Sequence, residues 1–212
     1  MEPFKNVKGI AVPLDRPNVD TDAIVPARYL KRIARQGWGE VLFYDWRYKS
    51  DGEPDPSFVF NEPGYEGAKV LVAGRNFGTG SSREHAVWAI VQSGIRAVIA
   101  SSFADIFHKN CFENGLVPVI LPEDKIQQLM REAKEGTGAE LTVDLEKCEV
   151  WDERGFRSKF VVHSDPGTHA FRRQCLLDGR DEIALTMERE DAISAFEEKR
   201  PKFLDPAGAK AG

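Results

Sequence analysis

Short apolar runs separated by turn residues open the chain. From residue 69 they settle into an alternation of strand-like and helix-like segments. Gly9-Ile10-Ala11-Val12 reads as a strand, which Pro13 is expected to end because proline cannot donate to a ladder. Lys69-Val-Leu-Val-Ala73 reads as a second strand, followed by a glycine-rich turn and a helix over residues 82–93. Ala97-Val-Ile-Ala100 is the next strand. A helix from about Phe103 to Glu113 comes after it, with Ser101 or Ser102 as N-cap and Gly115 as its stop. Leu116-Val-Pro-Val-Ile-Leu121 predicts a strand that Pro118 places at a sheet edge. Residues 123–135 read as a helix ended by Gly136. Short strands are expected at Glu140–Val143 and Lys159–Val162, and helices near 168–178 and 188–200. The pattern predicts a single α/β domain over residues 1–203, with β-rich ends and a flexible tail at 204–212.

Two stretches break the alternation. Residues 37–66 hold eight aromatic side chains among glycines and prolines, too apolar for a disordered linker. They predict a long ordered loop packed on the body, with core packing favoured over an aromatic face for a partner. Asn18-Val-Asp-Thr-Asp-Ala-Ile-Val-Pro26 is a polar cluster running into a short apolar segment. Its Asp20 and Asp22 either close local Asx-type turns or bind a ligand.

Composition narrows the class of function. A chain of 212 residues suits one generous domain or two small ones. Its formal charge of −5 argues against nucleic-acid and anionic-membrane partners, though not against a small anion held by local charge. No run nears the roughly 20 apolar residues of a membrane span, and the polar opening Met1-Glu2-Pro3-Phe4-Lys5 does not read as a signal peptide. Cys111, Cys148 and Cys175 are odd in number and lack a CxxC pair, so a cytoplasmic protein with free thiols is expected. With His85, His108, His163 and His169 equally scattered, no metal site is expected on this chain.

The candidate chemistry lies in Gly74-Arg-Asn-Phe-Gly-Thr-Gly-Ser-Ser-Arg-Glu-His85. A strand, a glycine turn and a helix start in succession make a site where free amides and the helix dipole receive anions. Three common templates fail. A phosphate-binding loop needs lysine before the Ser/Thr, a dinucleotide fingerprint needs glycine at 83, and a hydrolase elbow needs glycine at 84. What remains is a turn presenting Ser81, Ser82 and Arg83, whose planar guanidinium suits a carboxylate. A serine base has a difficulty. A helix N-terminus supplies at most about 2 kcal/mol, or roughly 1.5 pKa units, far too little for an alkoxide at neutral pH. Nearby cations must add to it: Arg83, and a metal that this chain does not supply.

Phe77-Gly-Thr-Gly-Ser-Ser-Arg-Glu-His85 resembles the signature of the swivelling domain of the aconitase superfamily, and Asn18–Pro26 the opening motif of its stand-alone form. Tyr29-Leu-Lys-Arg-Ile33, Phe43-Tyr-Asp-Trp-Arg47, Ser102–Phe107, Asn114–Pro118 and Asp178–Ile183 extend the likeness over nearly the whole chain. The chain is most similar to the family of bacterial 3-isopropylmalate dehydratase small subunits of leucine biosynthesis. The resemblance implies a swivelling β/β/α domain, a mixed sheet with flanking helices. It also implies a hydro-lyase active only with a large subunit, which carries a four-iron four-sulfur cluster. In that family Ser81 would be the base, Ser82 and Arg83 would bind a carboxylate of a small dicarboxylate substrate, and Leu30, Lys31, Arg32 and Ile33 would lie in a specificity loop. Leu30 and Ile33 are the candidates for an apolar wall. Thr79 stands where the family usually has cysteine, a position that is not a cluster ligand. Two other readings stay open: a related dehydratase of a citraconate- or methylmalate-type substrate, and a non-catalytic carboxylate-binding module.

Overall fold

Nine extended residues, Asn6–Leu14, form the strand β1 around which the other strands assemble in the computed structural model, which describes residues 1–135 and 138–199. Gly136, residues 200–203 and the 204–212 tail lie outside the described residues. The remaining strands are β2 (Val70–Ala73), β3 (Ala97–Ala100), β4 (Val117–Ile120), β5 (Glu140–Asp144), β6 (Glu149–Trp151) and β7 (Arg157–Lys159). They make one sheet in the order β4-β3-β2-β1-β5-β6-β7, parallel from β4 to β1 and antiparallel from β1 to β7. The mixed sheet expected from the family resemblance is present, and β4 with its Pro118 is at the edge.

β1 serves both halves by dividing its length. Asn6 to Ile10 pair with β5, and Ala11 to Leu14 pair with β2. Pro13 does not end the strand. Its nitrogen lies on the same side as that of Ala11, whose amide donates to the Ala139 carbonyl, and β5 has already run out there. No ladder bond is asked of proline at that position. At the far end, the expected strand 159–162 is shorter and earlier. β7 stops at Lys159, and Val161 instead exchanges backbone bonds with Ile120, at the end of β4. The curled sheet is thereby tied edge to edge.

The helices are α1 (Thr21–Ile24), α2 (Tyr44–Arg47), α3 (Glu84–Gln92), α4 (Asp105–Glu113), α5 (Glu123–Glu135), α6 (Pro166–Asp178), α7 (Glu182–Met187) and α8 (Glu190–Glu198). Strand alternation sorts the core into two faces. Val12, Leu14, Leu71, Ala73, Val98 and Ala100 meet α3 and α4, whereas Ala11, Val70, Val72, Ala97 and Ile99 meet α5 and the Leu176 side chain of α6. Residues 37–66 carry four short helical turns rather than a plain loop, and they bury Trp38, Val41, Leu42, Phe43, Phe58 and Tyr65. Core packing is their role.

Several element limits differ from expectation. α3 starts at Glu84, so Ser82 and Arg83 precede it. α4 starts at Asp105 after Ala104; neither Ser101 nor Ser102 caps it, since Ser101 donates to Glu123 and Ser102 accepts from the Asn76 amide. The C-terminal helix expected over 188–200 is α8, and a further short helix, α7, stands before it. Gly179, at φ +70°, ends α6, and the Asp181 carboxylate then caps α7 by accepting from the Ala184 amide.

Candidate active site

Two distant stretches build the turn between β2 and α3. Gly74 passes so close to the 15–17 loop that a Cβ would lie 2.5 Å from the Arg16 carbonyl oxygen. Asn76 takes a left-handed conformation (φ 56°), and its side-chain amide donates to Asn18 Oδ1 at 2.9 Å; Asn18 is left-handed as well. Gly78, at φ +78°, lies where a Cβ would be 2.1 Å from the Phe107 ring, so any side chain there would displace that ring. The Val19 carbonyl then accepts from the Gly78 and Thr79 amides, and the Thr79 carbonyl from the Thr21 amide. The buried Thr21 hydroxyl completes the seam by donating to the Ser81 carbonyl at 2.8 Å. Ser81 is thus positioned through its backbone, leaving its side chain unrestrained.

Ser81 and Ser82 are both exposed, just before α3. Arg83 occupies the N-cap position and no side chain caps the helix; the Ala86 amide donates to the Arg83 carbonyl, which leaves the amides of Glu84 and His85 for a ligand. Ser81 is two residues ahead of the cap. The dipole reaches it only weakly, because the effect falls off within the first turn. The Arg83 guanidinium donates to both carboxylate oxygens of Asp22, at 2.5 and 2.9 Å, and to the Val25 carbonyl at 3.4 Å. The two aspartates of the 18–26 cluster therefore divide their work. Asp20 caps α1 by accepting from the Ala23 amide at 2.6 Å, and Asp22 holds Arg83.

The neighbours of the turn act structurally. Glu84 accepts from the Asn114 amide at 2.9 Å, and Asn114 in turn accepts from the Trp88 indole N–H at 2.9 Å. His85 lies between Trp38 and Trp88, with ring centroids 4.5 and 4.7 Å away, and its burial holds its pKa below the ordinary imidazole range. It packs there as a neutral aromatic ring. In the expected specificity loop, Leu30 is half-buried against the core, Lys31 and Arg32 are exposed, and Ile33 is wholly exposed. The structure does not bring Leu30 and Ile33 together within this chain. The pattern of the sequence does not point to Thr21, Asn18 or Trp38 as parts of the site. Asparagine beside glycine-rich turns and a tryptophan flanked by two glycines were the available signals.

The donor set does not fit an iron–sulfur cluster. Cys111 and Cys175 are buried and Cys148 is half-buried, and burial pushes all three thiols up. Among the described residues no group of three or more His, Cys, Asp or Glu side chains is arranged to hold a metal ion. No helix among them is long and apolar enough to cross a membrane.

A parallel-to-antiparallel sheet curled around β1, with a serine turn ahead of α3, defines an aconitase-type domain, and the Aconitase C-terminal domain family matches residues 1–124. The model described as LeuD_N matches residues 127–164, and that of the C-terminal domain of 3-isopropylmalate dehydratase small subunits matches residues 182–203. Relatives named 3-isopropylmalate dehydratase small subunit include one from Anoxybacillus flavithermus, 52% identical over 94% of this chain and 100% of its own length. One from Brevibacillus brevis is 48% identical with the same coverage. A crystal structure of the 3-isopropylmalate dehydratase leuD from Methanocaldococcus jannaschii superposes with a TM-score of 0.62 at 30% identity, covering 90% of this chain and 99% of that one. The chain belongs to the family of 3-isopropylmalate dehydratase small subunits.

Proposed function

We propose that this chain is the small subunit of a cytoplasmic hydro-lyase that interconverts 2-isopropylmalate and 3-isopropylmalate through 2-isopropylmaleate. The observation that carries the reading is an exposed Ser81 beside an oriented Arg83, on a turn that lacks the cation a serine base needs. In this reading the partner is the large subunit, whose iron–sulfur cluster supplies the Lewis acid for the departing hydroxyl. Residues 1–203 act as one domain that closes over that partner.

The residues of this chain then have separate tasks. Ser81 Oγ removes the proton from the carbon next to the hydroxyl-bearing one, and the double bond forms as hydroxide leaves. Returning the proton and the hydroxide to exchanged carbons gives the isomer. Arg83 has donors left after binding Asp22, and with the Ser82 hydroxyl and the open amides of α3 it receives a substrate carboxylate. Leu30 and Ile33 face the alkyl group once the two chains close. Thr79 contributes backbone bonds to Val19 and Thr21, so a threonine there keeps the turn intact.

The experiment is Ser81→Ala in the enzyme reconstituted with its large subunit. A base contributes about 10²–10⁴-fold, so kcat should fall by that much while the subunits still pair. Full turnover by Ser81→Ala would remove the serine from the mechanism. Turnover by the wild-type small subunit alone would remove the shared site.

A further inference from the structure

Residues 26–37 leave the body and rejoin it on either side of the serine turn. Where they leave, the Val25 carbonyl accepts from Arg83; where they return, the fully buried Trp38 ring lies 4.5 Å from His85. Residues 31–37 between these points are exposed throughout, Ile33 completely. Arg28 is held by Asp45, and Tyr29 and Leu30 pack on the core, so it is the exposed residues 31–37 whose position depends on their foot.

Gln92, the last residue of α3, holds that foot. Its Oε1 accepts from the Trp38 amide at 2.9 Å, and its Nε2 donates to the Arg35 carbonyl at 2.8 Å. The Trp38 indole N–H donates to the Ala34 carbonyl at 2.9 Å. Gly39 then passes so close to the helix end that a Cβ would be 2.7 Å from the Gln92 carbonyl. Both ends of the Gln92 amide are therefore committed to the arm. The side chain is exposed and serves neither the core nor the helix that carries it. At 1.5 Å per residue it is roughly 12 Å along α3 from the helix start, out of reach of a substrate at Ser81.

We propose that Gln92 is a positioning residue: through Trp38 and the backbone at 34–35 it fixes the exposed segment bearing Ile33 beside the serine turn, and so sets how the substrate's alkyl group is received. The inference rests on the proposed reading of that arm as facing the alkyl group. Gln92 acts on substrate capture and leaves proton transfer unchanged.

Two variants test it, Gln92→Leu, which removes both bonds, and Gln92→Glu, which keeps the acceptor for Trp38 and loses the donor for Arg35. Lys31, Arg32 and Arg35 make the arm a substrate for trypsin, so the isolated chain reports the arm's release directly. Gln92→Leu should be cut at these sites about tenfold faster at unchanged melting temperature, as expected for two lost hydrogen bonds at an exposed foot, with Gln92→Glu in between. In the reconstituted enzyme Gln92→Leu should raise KM for 2-isopropylmalate about fivefold to tenfold with kcat nearly constant, and narrow the preference over a malate with a smaller alkyl group. Unchanged cleavage overturns the anchor. Faster cleavage with unaltered KM and selectivity, or a loss confined to kcat, overturns its role toward substrate. If Ser81→Ala retained full turnover, the serine reading would fail while the cleavage experiment still judged the anchor.

Discussion

Arg83 is held by Asp22 through two parallel hydrogen bonds, at 2.5 and 2.9 Å, across 61 residues of chain. The arginine side chain is 13% exposed and the carboxylate 54%, so the pair forms part of the rim of the serine turn. Two parallel bonds fix the plane of the guanidinium as well as its place. The remaining donors consequently point in set directions before any substrate arrives.

That geometry makes Asp22→Asn and Arg83→Lys informative together. Losing an orienting partner of this kind costs about 10–100-fold, and a lysine cannot reproduce a planar fork. Both variants are expected to raise KM for the dicarboxylate by at least tenfold in the reconstituted enzyme. A half-exposed ion pair adds at most about 1 kcal/mol to stability, so the melting temperature should move little. A large drop in melting temperature with normal KM would assign the pair to folding instead.

Gly78 and Gly80 separate space from backbone strain. Both have left-handed backbones, at φ +78° and +89°. A Cβ at Gly78 would meet the Phe107 ring at 2.1 Å, whereas one at Gly80 has its nearest neighbour at 3.4 Å. Gly80→Ala should cost only the conformational penalty of about 1–2 kcal/mol. Gly78→Ala adds overpacking against an aromatic core and should lose about 2–4 kcal/mol in all. Denaturant melts of the isolated chain measure the difference; equal losses would show that the Phe107 ring yields freely.

Thr21→Val isolates the seam under Ser81. Valine matches the shape of threonine but leaves the Ser81 carbonyl without its buried donor. The stability loss should be about 1 kcal/mol. Because Ser81 is set by its backbone alone, kcat should fall further than the stability change suggests, by roughly tenfold. Activity tracking stability alone would show that Ser81 does not depend on this bond.

The parts of the fold that the sequence disclosed are those that local pattern controls. The glycine turn, the strands Val70–Ala73, Ala97–Ala100 and Val117–Ile120, and the edge position of Pro118 all follow from short-range chemistry. The start of α3 did not. Ser81 and Ser82 look like helix caps, but the Ser81 carbonyl belongs to the seam with Thr21, and the helix waits until Glu84. Asp20 and Asp22 were visible as a pair of acids. Which one caps and which one holds Arg83 depends on contacts about 60 residues away. Pro13 misled because the rule about ladder bonds needs to know where the neighbouring strand stops. The break between α6 and α7 was written in Gly179 and Asp181, a stop followed by a cap, two signals that set α7 apart as a helix of its own.

His108 adds a buried imidazole to the groups through which acid acts on the chain. Its ring stacks on Phe103 and His163 with centroids 5.5 Å away, and Nε2 lies 2.7 Å from the Val162 carbonyl, which fixes the neutral tautomer with the proton on Nε2. The Val162 amide donates in turn to His169 Nδ1 at 3.1 Å, so this backbone is held from α4 and α6 together. Burial pushes His108 down to about 4; His163 and Arg172 oppose its protonation, while Asp105 favours it without forming a bond. The unfolded imidazole titrates near 6.5. Between pH 6.5 and 4 the unfolded chain therefore takes up a proton that the native chain refuses, and stability falls as pH falls through that window. The loss should total on the order of 2–3 kcal/mol from this ring. Burial lowers His85 and His169 as well, so they act in the same direction. Melting temperatures from pH 8 to 4.5 should decline less steeply in His108→Gln, which retains a donor for Val162, than in the wild type. Parallel curves would mean that the buried ring is not what acid attacks.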